Sequence, residues 1–237
     1  MSSSSELVTR ATHYHEQFGL PSFDDRVFVV FGYGSILWKQ NFEFDAEYEA
    51  YIKGYKRVFY QGSRDHRGVP DKPGRVVTLL PSEDKEQRVY GKAYQLPADP
   101  EKLNRIFQAL DVREKGGYER LFVTIYDAHP SFATDGEDRP LRLADKGTGT
   151  PGKAMVCLCY NATEDNADYL GPATMEAMAR QILSSTGLSG PNREYLYNLD
   201  RALRDMGAAD PHVFELAALA RQLEVECPAV ICSEKKI

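Results

Sequence analysis

The side chains of this chain best suited to chemistry lie in two short segments. One is Phe31-Gly32-Tyr33-Gly34-Ser35-Ile36. Glycine on both sides of a tyrosine lets the backbone approach a ligand closely and turn its N–H groups toward it. Such a loop suits a carboxylate or a developing oxyanion, and the alternative is a plain glycine-rich turn between strands. The other segment is Asp111-Val112-Arg113-Glu114-Lys115-Gly116-Gly117-Tyr118. Here Glu114 falls at the end of a predicted helix, where its charge meets the negative pole of the helix dipole at a cost of about 0.3–1 kcal/mol. Burial beside it raises the carboxyl further toward neutrality, which suits a general acid–base. A surface glutamate in a charged helix end is the competing reading.

Four arginines, Arg57, Arg64, Arg67 and Arg75, surround the polar loop Gly62-Ser63-Arg64-Asp65-His66-Arg67-Gly68. They read either as a solvated, ion-paired loop or as forks for the carboxylate of a small acidic ligand. Other chemistries are disfavoured. Gly147-x-x-x-x-Gly152-Lys153 resembles a phosphate-binding loop, but Ala154 stands where Ser or Thr should bind magnesium, and a strand follows instead of a helix. Ser35 lacks the Gly-x-Ser-x-Gly elbow of a serine nucleophile. None of the five histidines is spaced as a metal ligand, so no metal site is expected.

These residues need a rigid frame. Val27–Phe31 is a run of β-branched and aromatic residues that reads as a strand buried on both faces, delivering the glycine loop at its end. Strand patterns follow at Tyr48–Tyr60, Arg75–Leu80 and Val89–Leu96. Asp99-Pro100 opens a helix with an N-cap acid and a first-turn proline. Leu103, Ile106, Phe107 and Leu110 form its apolar face, and Gly116-Gly117 ends it. Strands are expected at Leu121–Tyr126 and Ala154–Tyr160, with a loop over 129–152 between them. Pro172, Pro191 and Pro211 mark three helix starts, and Leu196, Leu199, Leu203 and Met206 line the middle helix. Strands first and helices last make the class α+β.

With 237 residues, 42% of them hydrophobic, the chain can bury one substantial core. The expected division is an extension over 1–25, with a short helix at Glu6–Phe18, a single catalytic domain over 26–226, and a tail over 227–237. A net charge of −6 argues against a nucleic-acid partner. No apolar run approaches the roughly 20 residues that span a bilayer, so no membrane partner is expected. The four cysteines include no Cys-x-x-Cys pair, and Cys157 and Cys159 face one side of a strand as buried thiols. The N-terminus lacks the apolar core of a secretory signal, so a reduced, cytoplasmic location is expected.

Several segments in one order resemble the ChaC family of γ-glutamylcyclotransferases that act on glutathione. They are Phe31–Trp38, Gln61–Pro70, Pro73–Leu79, Val112–Tyr118, Tyr169-Leu170-Gly171-Pro172 and Ser189–Leu196. The resemblance spans roughly residues 27 to 205, with Ile36-Leu37 standing where the family often has Leu-Ile. It implies a γ-glutamylcyclotransferase-like fold, a small mixed β-barrel or sheet flanked by helices, with a helical C-terminal third. It implies cleavage of glutathione, the small-molecule partner, to 5-oxoproline and cysteinylglycine without a cofactor. By the same resemblance Glu114 is catalytic, and Phe31, Gly32, Tyr33, Gly34, Ser35 and Ile36 bind substrate. Tyr118 and Tyr169 occupy matching positions and are expected to line the site. The alternatives are turnover of other γ-glutamyl amino acids or amines, or an inactive γ-glutamyl-binding module. The oligomeric state is left open.

Overall fold

The computed structural model describes residues 26–114, 117–128, 138–143 and 154–226. The expected helix at Glu6–Phe18, the phosphate-loop lookalike, most of the 129–152 loop and the C-terminal tail lie outside them.

Strand β1 (Arg26–Gly32) is buried along nearly its whole length, as its unbroken apolar run requires. It sits inside a six-stranded mixed sheet, parallel to β8 (Ala154–Asn161) and antiparallel to β5 (Arg88–Gln95). Beyond β5 lie β2 (Ala46–Lys53) and the short β7 (Tyr126–Asp127), and beyond β8 lies β6 (Glu119–Phe122). Strands β3 (Tyr55–Ser63) and β4 (Gly74–Pro81) pair with each other as a separate two-stranded ribbon.

The single strand expected over Tyr48–Tyr60 is therefore two. Gly54, at φ 78°, breaks it in a conformation few other residues adopt, and sends the chain from the large sheet into the ribbon. The expected Leu121–Tyr126 strand is likewise divided, with β6 and β7 at opposite edges of the sheet. Those edges do not pair with each other among the described residues, so the sheets stay open and no closed barrel forms. The sheet form of the expected architecture is the one adopted.

Side chains alternate across β1 with the period of two that a strand dictates. Phe28 and Val30 point into one core cluster, with the buried face of helix α1 (Pro100–Arg113). Leu103, Ile106, Phe107 and Leu110 form that face, and Phe28 meets Phe107 edge to face at 5.7 Å. Val29 and Phe31 point the other way, into a larger cluster that includes Cys157 and Cys159. Helices α2 (Met175–Ser184), α3 (Asn192–Asp205) and α4 (Pro211–Glu226) close that side. Proline stands at the start of α4 and just before α3, whereas α2 begins three residues after Pro172, capped by Thr174 accepting from the Ala177 N–H. The two-residue strands β9 (Thr186–Gly187) and β10 (Gly190–Pro191) link α2 to α3.

Side chains join the two sheets: the Arg57 guanidinium of β3 donates to the Tyr90 carbonyl of β5, and Asn161 spans the other side. Asn161, at the end of β8, accepts from the Leu79 N–H at 2.8 Å and donates to the Leu79 carbonyl at 3.0 Å. Its Oδ1 also accepts from the hydroxyls of Thr78 and Tyr33.

Candidate active site

A cavity of about 370 Å³ opens where β1 ends, a size typical of small-ligand sites. Its first wall follows from β1 itself. The chain leaves the strand at Gly32, passes Tyr33 and Gly34, and enters a 3-10 turn at Ser35–Leu37. The first bonds of that turn run from the Leu37 N–H to the Gly34 carbonyl and from the Trp38 N–H to that of Ser35. The amides of Ser35 and Ile36 precede these bonds, as at any helix start. The Tyr33 ring is buried, and its hydroxyl donates to the Tyr160 carbonyl at 2.8 Å, which fixes the loop on β8.

Neither Gly32 nor Gly34 has a positive φ. They are required by crowding: a Cβ at Gly32 would lie 2.7 Å from Ile36 Cγ2, and one at Gly34 would lie 2.9 Å from the Tyr195 hydroxyl oxygen. Of the expected loop residues, Phe31, Tyr33, Gly34, Ser35 and Ile36 line the cavity, while Gly32 packs beneath Ile36.

The opposite wall is the end of α1. The Asp99 carboxylate caps its N-terminus by accepting from the Lys102 N–H at 2.9 Å. The apolar face docks on the sheet, and the last turn therefore arrives beside the glycine loop. Glu114 is the C-cap residue, its N–H donating to the Leu110 carbonyl. Arg113 ties this end to the loop. Its guanidinium donates to Ser35 Oγ at 2.7 Å and to the carbonyls of Lys39 and Gln40 at 2.7 and 3.1 Å. Its Nε stands 3.4 Å from the Glu114 carboxylate.

Burial pushes the Glu114 carboxyl above the usual glutamate range, Arg113 pulls it back, and Asp65 adds a further push. The side chain is only 16% exposed. Four phenols line the cavity, those of Tyr33, Tyr118, Tyr160 and Tyr195, and burial raises each of them. Tyr33 and Tyr118 move far up, and Tyr195 is pushed up to about 12. All four stay neutral at physiological pH, which leaves Glu114, raised by burial, as the carboxyl beside them able to give up and regain a proton.

The arginine cluster divides. Arg57 is buried and paired with Asp210 at 2.9 Å, and Arg75 is buried against the carbonyls of Phe59 and Gly171. Both hold the fold together. Arg64 and Arg67 stand on the cavity rim, where Arg64 pairs with Asp168 at 2.6 Å and Arg67 with Glu194 at 3.2 Å. His66, also on the rim, has Nδ1 3.1 Å from Ser189 Oγ. Tyr118 lines the cavity, whereas Tyr169 lies outside its wall. The Tyr169 hydroxyl is 3.1 Å from a Glu164 carboxylate oxygen, and its backbone bridges to Gln61. That bridge turns its neighbour Asp168 toward the cavity instead.

Motif reading passed over Arg113, Lys39 and Tyr195. Arg113 and Tyr195 lie inside quoted motifs, and Lys39 stands one residue beyond the first. Among the described residues no three His, Cys, Asp or Glu side chains gather as a metal site would need. No helix there is long and apolar enough to cross a membrane.

Residues 28–223 match the family model described as ChaC-like protein. The chain is 40% identical over 197 residues to gamma-glutamylcyclotransferase 2-3 of Arabidopsis thaliana, covering 82% of this chain and 88% of that one. It is 37% identical over 217 residues to the human glutathione-specific gamma-glutamylcyclotransferase 1, covering 90% and 87%. A crystal structure of a yeast gamma-glutamyl cyclotransferase specific to glutathione superposes with a TM-score of 0.68 at 28% identity, over 83% of this chain and 96% of that one.

Proposed function

Because the chain belongs to the ChaC-like protein family, we propose that it cleaves glutathione by closing the γ-glutamyl group on itself, with Glu114 moving the proton. The products are 5-oxoproline and cysteinylglycine. One observation carries this reading: a largely buried carboxylate with a raised pKa faces the Tyr33–Ile36 loop across a single cavity.

The α-nitrogen of the γ-glutamyl group attacks its own γ-carbonyl carbon. A ring C–N bond forms and the bond to the cysteinyl nitrogen breaks. Of the three protons on the starting ammonium, one stays on the lactam nitrogen and two end on the departing amine. A single carboxyl that accepts and then donates can serve both transfers, and the upward shift of Glu114 by burial suits that role. Loop N–H groups hold the substrate carboxylate or the oxyanion, where a lost donor costs about 10²–10³ in rate. Holding the flexible γ-glutamyl chain folded supplies another large part of the acceleration. The neutral phenols of Tyr118 and Tyr195 act as walls and hydrogen-bond donors, while Tyr33, its hydroxyl bound to the Tyr160 carbonyl, holds the loop.

We assign the catalytic unit to residues 26–226, and the location to the cytoplasm. The free, buried thiols of Cys157 and Cys159 suit a reducing compartment. The assay is release of 5-oxoproline and cysteinylglycine from glutathione. Glu114→Gln, with its fold checked by circular dichroism, is expected to abolish release. Full activity in that variant overturns the assignment of Glu114.

A further inference from the structure

Glutathione carries two carboxylates and one ammonium. With its γ-glutamyl end seated between the Tyr33–Ile36 loop and Glu114, as proposed above, the cysteinylglycine half runs outward and brings a second carboxylate to the rim. An anion there calls for a cation that is not already engaged.

The cavity wall offers four constantly charged candidates. Arg113 is held by Ser35, by two backbone carbonyls and by Glu114. Arg64 is paired with Asp168, and Arg67 binds the Pro191 carbonyl and Glu194. Lys39 differs. Its backbone is pinned at both ends, the N–H donating to the Ser35 carbonyl at 2.9 Å and the carbonyl accepting from Arg113. Its side chain is exposed, and its ammonium has no ion-pair or hydrogen-bond partner among the described residues.

We propose that the Lys39 ammonium receives the glycyl carboxylate of glutathione, and so favours γ-glutamyl substrates that carry an anion beyond the cysteine. The backbone anchors give this contact its range. They fix the Lys39 Cα relative to the loop that holds the other end of the substrate, so one rigid segment measures the molecule from carboxylate to carboxylate. A flexible, hydrated ammonium suits a rim position, where it need not be desolvated to bind.

The test compares glutathione with glutathione whose glycyl carboxyl is converted to the amide, using wild type, Lys39→Gln and Lys39→Arg. Lys39→Gln should raise KM for glutathione about five- to tenfold, the range of an accessible charge-assisted contact. Its KM for the amide should match that of wild type, and Lys39→Arg should keep most of the affinity for glutathione. Added salt should weaken wild type on glutathione and leave Lys39→Gln unmoved. An unchanged KM in Lys39→Gln overturns the proposal. An equal rise on both substrates also overturns it, by making Lys39 a support of the loop. Absence of 5-oxoproline from wild type on both substrates is a different failure, since it removes the function reading together with the subsite.

Discussion

Replacing Gly34 by alanine tests whether the site depends on how closely the glycine loop lies against α3. At φ −125° the position is outside the left-handed region. The obstacle is contact. The new Cβ would lie 2.9 Å from the Tyr195 hydroxyl oxygen and 3.2 Å from Val77 Cγ2, whereas ordinary contact begins near 3.4 Å. Something must give by about half an ångström. Tyr195 has little room, being 6% exposed and set edge to face against Trp38 at 5.3 Å and Phe59 at 6.0 Å. The loop therefore shifts, and with it the amides opposite Glu114. A displacement of about 1 Å costs a reaction about 10²-fold, so half of that predicts a loss on the order of tenfold in kcat/KM. Overpacking also lowers stability by about 1–3 kcal/mol. Steady-state release of cysteinylglycine and a thermal melt measure the two effects. The decisive variant is Gly34→Ala combined with Tyr195→Phe, which removes the offending oxygen. Its kcat/KM should equal that of Tyr195→Phe alone, a coupling of about 1.4 kcal/mol. Additive losses, or a Gly34→Ala protein with wild-type rate and Tm, would refute the reasoning.

The remaining predictions concern Glu114 and its surroundings. Its carboxyl titrates higher in the folded protein than in the unfolded chain, so wild type bears the cost of a buried charge at neutral pH. Glu114→Gln should therefore raise Tm at pH 7, the gain fading as pH falls toward the ordinary glutamate value of about 4.3; a lower Tm at pH 7 would contradict this. Arg113→Met removes the cation that holds this carboxyl down, so the acid limb of the kcat/KM–pH profile should move to higher pH, and an unmoved limb would count against it. Activity should survive exhaustive dialysis against EDTA, and a loss restored by a divalent ion would contradict the metal-free mechanism.

Local rules were enough to read the parts that carry Glu114. Five apolar residues gave β1, an Asp-Pro start and four apolar residues at helical spacing gave α1, and their ends bring the loop and Glu114 together. What escaped depends on distance. Nothing near Tyr48–Tyr60 states that its two halves pair with different partners, and only Gly54 hints at the break. Arg113 looks like one more charged residue at a helix end until its long side chain is seen spanning to Ser35, Lys39 and Gln40. Around Tyr169 the segment is irregular. With no strand or helix period there, spacing does not say whether Tyr169 or Asp168 faces inward. The arginine cluster needed burial to divide it, since Arg57 and Arg75 differ from Arg64 and Arg67 only in what surrounds them.

The parallel pairing of β1 with β8 also has a consequence in time. The Tyr33 hydroxyl waits for a carbonyl 127 positions later in the chain. At a synthesis rate of about 5–20 residues per second, the loop exists for roughly 6–25 s before the strand that fixes it has been made. Until β5 is made Val27–Phe31 presents an apolar strand with both edges open, and until β8 is made one edge stays open, the kind of surface that recruits other unfinished chains. A message cut short before codon 154 thus yields a product that is inert and prone to clump. The burden on chaperones falls on the first strand to emerge rather than the last.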